Sequence, residues 1–144
     1  MIDKKILLYL KKHEGLSLKP YICPAGKLTI GVGRNLEDNG ISEEEALFLL
    51  RNDVERCERE LREIFPDFDN YHDNLKMVLI DMIFNLGKTR FLKFKKMIKA
   101  VKSKRFKKVI KEMKNSLWCK QVKNRCKDNV ALIKELLNNG DDYG

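Results

Sequence analysis

The 144-residue chain has no run of about 18 apolar residues, so no segment reads as a membrane-spanning helix. Its first residues, MIDKKILLYLKKHEG, hold only a short apolar patch broken by Lys11 and Lys12, with no small-residue cleavage site. That reads as an amphipathic helix rather than a signal peptide, and it predicts synthesis and folding in the cytoplasm. The four cysteines (Cys23, Cys57, Cys119, Cys126) form no CxxC pair and no zinc spacing, so neither a metal nor another cofactor is expected. A reducing compartment predicts free thiols rather than disulfides, with Cys57 and Cys126 as small buried hydrophobes. Internal repeats and low-complexity segments are also missing. Acids are scarce in one stretch: Lys88 to Lys114 carries 13 Lys or Arg and a single acid, Glu112, within a net charge of +9. Such a patch suits a polyanion, whether nucleic acid, an anionic membrane surface or the peptide carboxylates of a cell wall, and charge alone does not choose.

Hydrophobic residues make up 43% of the chain, enough for a core, and 35% charged residues argue for a soluble protein. The length suits one domain with room for two lobes. Ile2, Ile6, Leu7, Tyr9 and Leu10 predict a first helix with one apolar face, ending near Gly15. Asp38-Asn39-Gly40 reads as a loop. Ser42 and Glu45 form a capping box that opens a helix of about 20 residues, carried by Ala46, Leu50, Val54, Cys57, Leu61 and Ile64 and ended by Pro66. Beyond it the pattern is wholly helical. Leu75, Val78, Leu79, Met82, Ile83 and Leu86 form an apolar stripe closed by Gly87. Phe91, Phe94, Met97, Ile98 and Val101 predict the next helix, and Phe106, Val109, Ile110 and Met113 another. Leu117-Trp118 begins a shorter piece. Val130, Ile133, Leu136 and Leu137 close the chain before Asn139-Gly140 and a frayed tail over 141–144.

The stretch that carries chemistry is HEGLSLKPYICPAGKLTIGVG, His13 to Gly33. Glu14 stands at a helix end and Gly15 follows it. Pro24-Ala25-Gly26 supplies a turn, and alternation over 27–33 predicts a strand. Leu28, Ile30 and Val32 share its apolar face. Thr29, Gly31 and Gly33 share an open face of small residues that lets something approach the backbone. One helix end and one hairpin thus gather Glu14, Cys23 and Thr29.

EGLxLxxY followed by GxxTIGxG resembles the phage T4-type lysozymes, the endolysins of glycoside hydrolase family 24. Their signature is Glu, eight residues, Asp or Cys, five residues, Thr; here it falls on Glu14, Cys23 and Thr29. LIDMIFNLG is similar to the first helix of the family's C-terminal lobe, where Phe84 and Asn85 would border the cleft. SLWCKQVKNR is similar to its SxWxxQxxNR segment, with Trp118, Gln121, Asn124 and Arg125. The resemblance implies an α+β fold, mostly α: an N-terminal lobe with the hairpin over 1–41, an interlobe helix over 42–65, and a helical C-terminal lobe over 66–144. It also implies a cleft between lobes and Arg125 paired with Glu14. Arg34 and Asp53 would form a salt bridge that ties hairpin to connecting helix. Phe84, Asn85, Gln121 and Gly31 would bind substrate.

The implied activity is hydrolysis of the β-1,4 bond between N-acetylmuramic acid and N-acetylglucosamine in bacterial peptidoglycan. That reaction needs a proton on the leaving oxygen and a nucleophile at the sugar carbon. Glu14 would be the general acid and so must carry a proton, whereas a paired Arg125 favours the charged form. The Thr29 hydroxyl would orient a water. Cys23 departs from the commoner Asp, and a mostly neutral thiol is a poor base. Either local positive charge lowers its pKa, or Thr29 and water carry more of the work; a thiolate nucleophile is a further route, and water attack with inversion is the favoured one. His13 reads as a surface residue beside the acid. The biological role implied is lysis of a bacterial host by a monomer with no nucleic-acid partner and no stable membrane insertion. It would stay in the host cytoplasm until a separate holin lets it reach the periplasm and wall. Competing readings are a basic helical nucleic-acid-binding module, a membrane-disrupting segment over 94–114, and a lytic transglycosylase on the same scaffold.

Overall fold

A computed structural model describes residues 3–138. Ile2, the Asn139-Gly140 stop and the 141–144 tail lie outside the described residues. The chain divides into two compact units, Met1–Leu49 and Leu50–Gly144.

The first unit is built on a helix and a small sheet. Helix α1 (Lys4–Glu14) is capped by the Asp3 carboxylate, which accepts from the Lys5 N–H at 2.8 Å. It stops because Gly15 adopts φ +76°, and the Gly15 N–H donates to the Lys11 carbonyl at 2.8 Å. Strands β1 (Ser17–Ile22), β2 (Leu28–Gly31) and β3 (Arg34–Asn35) form an antiparallel sheet in that order. A tight turn joins the first two: the Gly26 N–H donates to the Cys23 carbonyl at 2.8 Å, and the Cys23 N–H to the Lys27 carbonyl at 2.9 Å. The strand predicted through Gly33 ends at Gly31, because Gly31 and Gly33 take φ +71° and +67°, outside the β region. Asp38 and Asn39 of the predicted 38–40 loop belong instead to a single helical turn, α2 (Leu36–Asn39), capped by Asn35, whose side chain accepts from the Asp38 N–H, and ended by Gly40.

Helix α3 (Glu43–Ile64) runs from the first unit into the second. Its capping box forms as the sequence predicts: the Glu45 N–H donates to Ser42 Oγ at 3.1 Å, and the Ser42 N–H to Glu45 Oε1 at 2.9 Å.

The second unit holds the core. Helices α4 (Asp73–Leu86), α5 (Lys88–Phe91), α6 (Lys95–Lys102), α7 (Phe106–Lys114), α8 (Leu117–Val122) and α9 (Asn124–Asn138) pack around it, after a 3-10 turn at Phe68–Asn70. All six residues of the α4 stripe are buried, and Gly87 ends that helix with φ +79°. Phe65, Phe68, Phe91, Met97, Val101, Met113, Ile133 and Leu136 fill the centre. The single helix predicted over 91–101 is two, α5 and α6, separated by Leu92–Phe94. Cys57 is a buried free thiol, as the sequence predicts. Cys126 corrects the prediction of free thiols: it is buried, but as one half of a disulfide with Cys119. The seven-residue separation resembles no redox motif, and a compartment argument says nothing about two cysteines on the consecutive helices α8 and α9.

Candidate active site

Glu14 is the last residue of α1, so the helix stop at Gly15 fixes where its side chain leaves the backbone. Its carboxylate lies against the backbone of Gly33. A methyl group placed on Gly33 would sit 2.6 Å from Glu14 Oε2 and 3.0 Å from its Cδ. No side chain larger than hydrogen fits there without moving the acid. By contrast, a methyl group on Gly31 meets nothing within 4 Å, so that glycine leaves open space over the turn. Beside Glu14 the surface forms a shallow hollow of about 250 Å³ lined by Gly15, Leu16, Ser17 and Tyr21. Sequence reasoning singled out Gly33 only as a small residue on the strand. Its contact with Glu14 depends on how the 31–33 turn folds back, which no periodicity reveals.

Thr29 sits opposite Tyr21 on β1 and Asn35 on β3. It is the buried residue of β2, at 2% exposure, while Leu28 is 38% exposed. The face predicted to be open is therefore the inner one at this position. The physical reason is polar: the Thr29 hydroxyl is satisfied inside, donating to the Lys27 carbonyl at 2.8 Å. Cys23 stands at the turn between β1 and β2. Hydrogen bonds from the Lys27 backbone N–H, and next from the Thr29 hydroxyl, hold its thiol below the ordinary range. Neutral hydrogen-bond donors therefore lower this thiol, with no local positive charge involved. Thr29 has one hydroxyl proton. It goes to Lys27 when Cys23 is a thiol, and Cys23 offers a second acceptor once deprotonated.

The supporting arginines each have a partner within their own unit. Arg34 donates to Glu45 Oε1 at 2.8 Å and to the Gly40 carbonyl at 3.2 Å. Asp53 accepts from Arg56, one turn along α3. The Arg34 bond with the capping-box acid, together with the Ser42 N–H, draws the Glu45 pKa down to about 2. In the second unit Arg125 bonds Asp81 twice, at 2.9 Å through Nε and 2.7 Å through Nη2, and Asn129 adds a third bond to Asp81 at 3.0 Å. Burial alone would raise the Asp81 pKa, but the Arg125 and Asn129 hydrogen bonds outweigh it and hold the carboxyl below its usual range. The sequence quoted Asp81 within LIDMIFNLG without giving it a role.

Phe84 is 42% exposed, next to Asn85 on α4. Asn85 Oδ1 accepts from Trp118 Nε1 at 2.8 Å, so its amide nitrogen is the group left for a ligand. Gln121 lines a groove of about 530 Å³ with Trp118, Asn115, Phe94, Arg90 and Lys93. Among the described residues, no three His, Cys, Asp or Glu side chains are grouped to hold a metal ion. No helix among them is long and apolar enough to cross a membrane.

A mostly helical chain with a three-stranded antiparallel sheet, and a helix-end glutamate packed on a glycine turn, has the fold of a lysozyme-type protein. The family model described as phage lysozyme matches residues 11–134, and the chain belongs to that family. An endolysin of Acyrthosiphon pisum secondary endosymbiont phage 1 is 34% identical over 96 residues, covering 62% of this chain and 62% of that protein's length. Two probable T4-type lysozymes of Dictyostelium discoideum, numbers 2 and 1, are 27% and 30% identical, each over 87% of this chain and 91% of its own length.

Proposed function

We propose that the chain is a muramidase that hydrolyses the β-1,4 bond between N-acetylmuramic acid and N-acetylglucosamine in bacterial peptidoglycan. The observation that carries the reading is the Glu14 carboxylate packed on Gly33, in the turn that follows the strand of Thr29, which bonds Cys23. Glu14 gives its proton to the leaving oxygen. Thr29 and Cys23 hold the attacking water; its oxygen bonds the sugar carbon as the leaving oxygen departs, its proton passes to solvent, and the configuration inverts. The Thr29 proton moves between Lys27 and Cys23 without rearranging the strand, which lets a thiol stand where a carboxylate is commoner. Phe84, the Asn85 amide nitrogen, Gln121 and the open backbone at Gly31 contact the polymer.

The nucleic-acid reading has less support. Phe91 and Phe106 of the Lys-rich region are spent in the core, so they offer no platform for bases. Membrane disruption by 94–114 fares similarly, because the apolar faces of α6 and α7 are the buried ones. The protein acts as a monomer, reaches the wall after a separate holin opens the inner membrane, and lyses the host.

Product chemistry tests the proposal. Digestion of Gram-negative peptidoglycan should give fragments with new reducing ends. Anhydro-sugar ends would make the enzyme a lytic transglycosylase and would remove the attacking water, and with it the roles of Thr29 and Cys23.

A further inference from the structure

The second unit carries a groove that the muramidase reading does not use. It has a volume of about 620 Å³ and lies between the end of α3 and helices α5 and α6. Three apolar side chains line it, Ile64, Leu92 and Ile98, and Leu92 is exposed. Its rim is cationic: Lys88, Lys95, Lys99 and Lys102, with one acid, Glu63. Glu63 is tied to Lys88, so that end of the rim is neutralised. Lys95, Lys99 and Lys102 recur at steps of four and three along α6 and so form one row about 10 Å long. None of these three has an ion-pair partner among the described residues.

We infer that this groove is a docking surface for an anionic phospholipid bilayer. A row of ammonium groups flanked by the exposed Leu92 side chain matches a layer of phosphate headgroups with an apolar boundary beneath it. Sugar recognition would need an aromatic face and hydroxyl partners, and none line the groove. Nucleic acid would likewise find no ring to stack on. The apolar side of α6 (Met97, Ala100, Val101) is buried in the core. The helix therefore stays in the folded protein and adsorbs by its lysine row, with Leu92 beside it. Binding is peripheral, reversible and salt-sensitive, and it does not depend on the catalytic reading.

The test is cosedimentation of the full chain with vesicles of equimolar phosphatidylglycerol and phosphatidylcholine, and with phosphatidylcholine alone. Wild type should pellet with the anionic vesicles only and be released by salt. Each lysine near an anionic surface contributes about fivefold to binding, so K95Q/K99Q/K102Q should bind on the order of a hundredfold more weakly. K108Q/K111Q/K114Q removes the same charge from α7, outside the groove, and should lose far less. Both variants change exposed side chains, and matched melting temperatures establish that each is folded. Equal losses in the two variants would reduce the effect to net charge and overturn the docking surface. So would wild-type binding by the α6 variant, or pelleting with neutral vesicles. Release by inorganic phosphate at matched ionic strength would make free phosphate the ligand and overturn the bilayer. Failure on vesicles with retention on duplex DNA through the same lysines would make the partner a nucleic acid.

Discussion

At the scale of single residues, the account turns on how little room Glu14 has. Gly33 is required twice, for its φ of +67° and for the space its missing side chain leaves to the carboxylate. Gly33→Ala should cost about 1 kcal/mol of stability through backbone strain. It should lower kcat on peptidoglycan at least tenfold, because the acid is displaced from its position. Gly40→Ala carries similar strain, at φ +58° with nothing within 4 Å and no place in the site, so comparing the two by thermal melting and initial rates separates strain from displacement. Cys23 gives a pH signature. Its thiol is lowered by the Lys27 N–H and the Thr29 hydroxyl, so its alkylation rate should reach half its maximum below the pH seen for an unperturbed thiol. Thr29→Val removes one of those donors and should move that midpoint up. The spacing of Glu14, Cys23 and Thr29 was legible as a motif, and the fold joins Cys23 to Thr29 by a hydrogen bond. The burial of Thr29 and the pairing of Arg125 with Asp81 were not, because both follow from which polar group finds a partner once the chain is folded.

At the scale of elements, helix ends and clasps decide the stability. The Ser42–Glu45 capping box was readable in the sequence because it is local, three residues apart. The clasp on it by Arg34 was not, because it joins residues eleven apart. Glu45 titrates at about 2 in the folded protein, below its unfolded value of 4.5, so its contribution is present above about 4.5 and is lost as pH falls toward 2. Denaturant unfolding at a series of pH values should therefore show wild type losing more stability across that window than Glu45→Gln. Farther along the chain, Trp118 and Arg125 anchor α8 and α9 to Asn85 and Asp81, one turn apart on α4. The Cys119–Cys126 disulfide joins the residues just after each anchor. Closing so short a loop stabilises the fold by about 2 kcal/mol. Reduction, or Cys119→Ser, should lower the melting temperature accordingly, and the chain's single tryptophan reports it by fluorescence.

At the scale of the molecule, the two units divide the work unevenly. The second contains the whole hydrophobic cluster, from Cys57 to Leu136, and its helical stripes were legible as repeats of three and four. Among the described residues of the first unit, Thr29 alone is buried, so that unit's form rests on turns, glycines and caps. Those are the features that periodicity reads least well, and they include the one that places Glu14. The most direct measurement is the initial rate of reducing-end release from purified Gram-negative peptidoglycan, wild type beside Glu14→Gln. Loss of a general acid should slow the reaction by roughly 10²–10⁴-fold while the variant keeps the wild-type melting temperature. A Glu14→Gln enzyme that releases reducing ends at the wild-type rate would contradict the assignment of Glu14 as the acid, and with it the mechanism proposed for this chain.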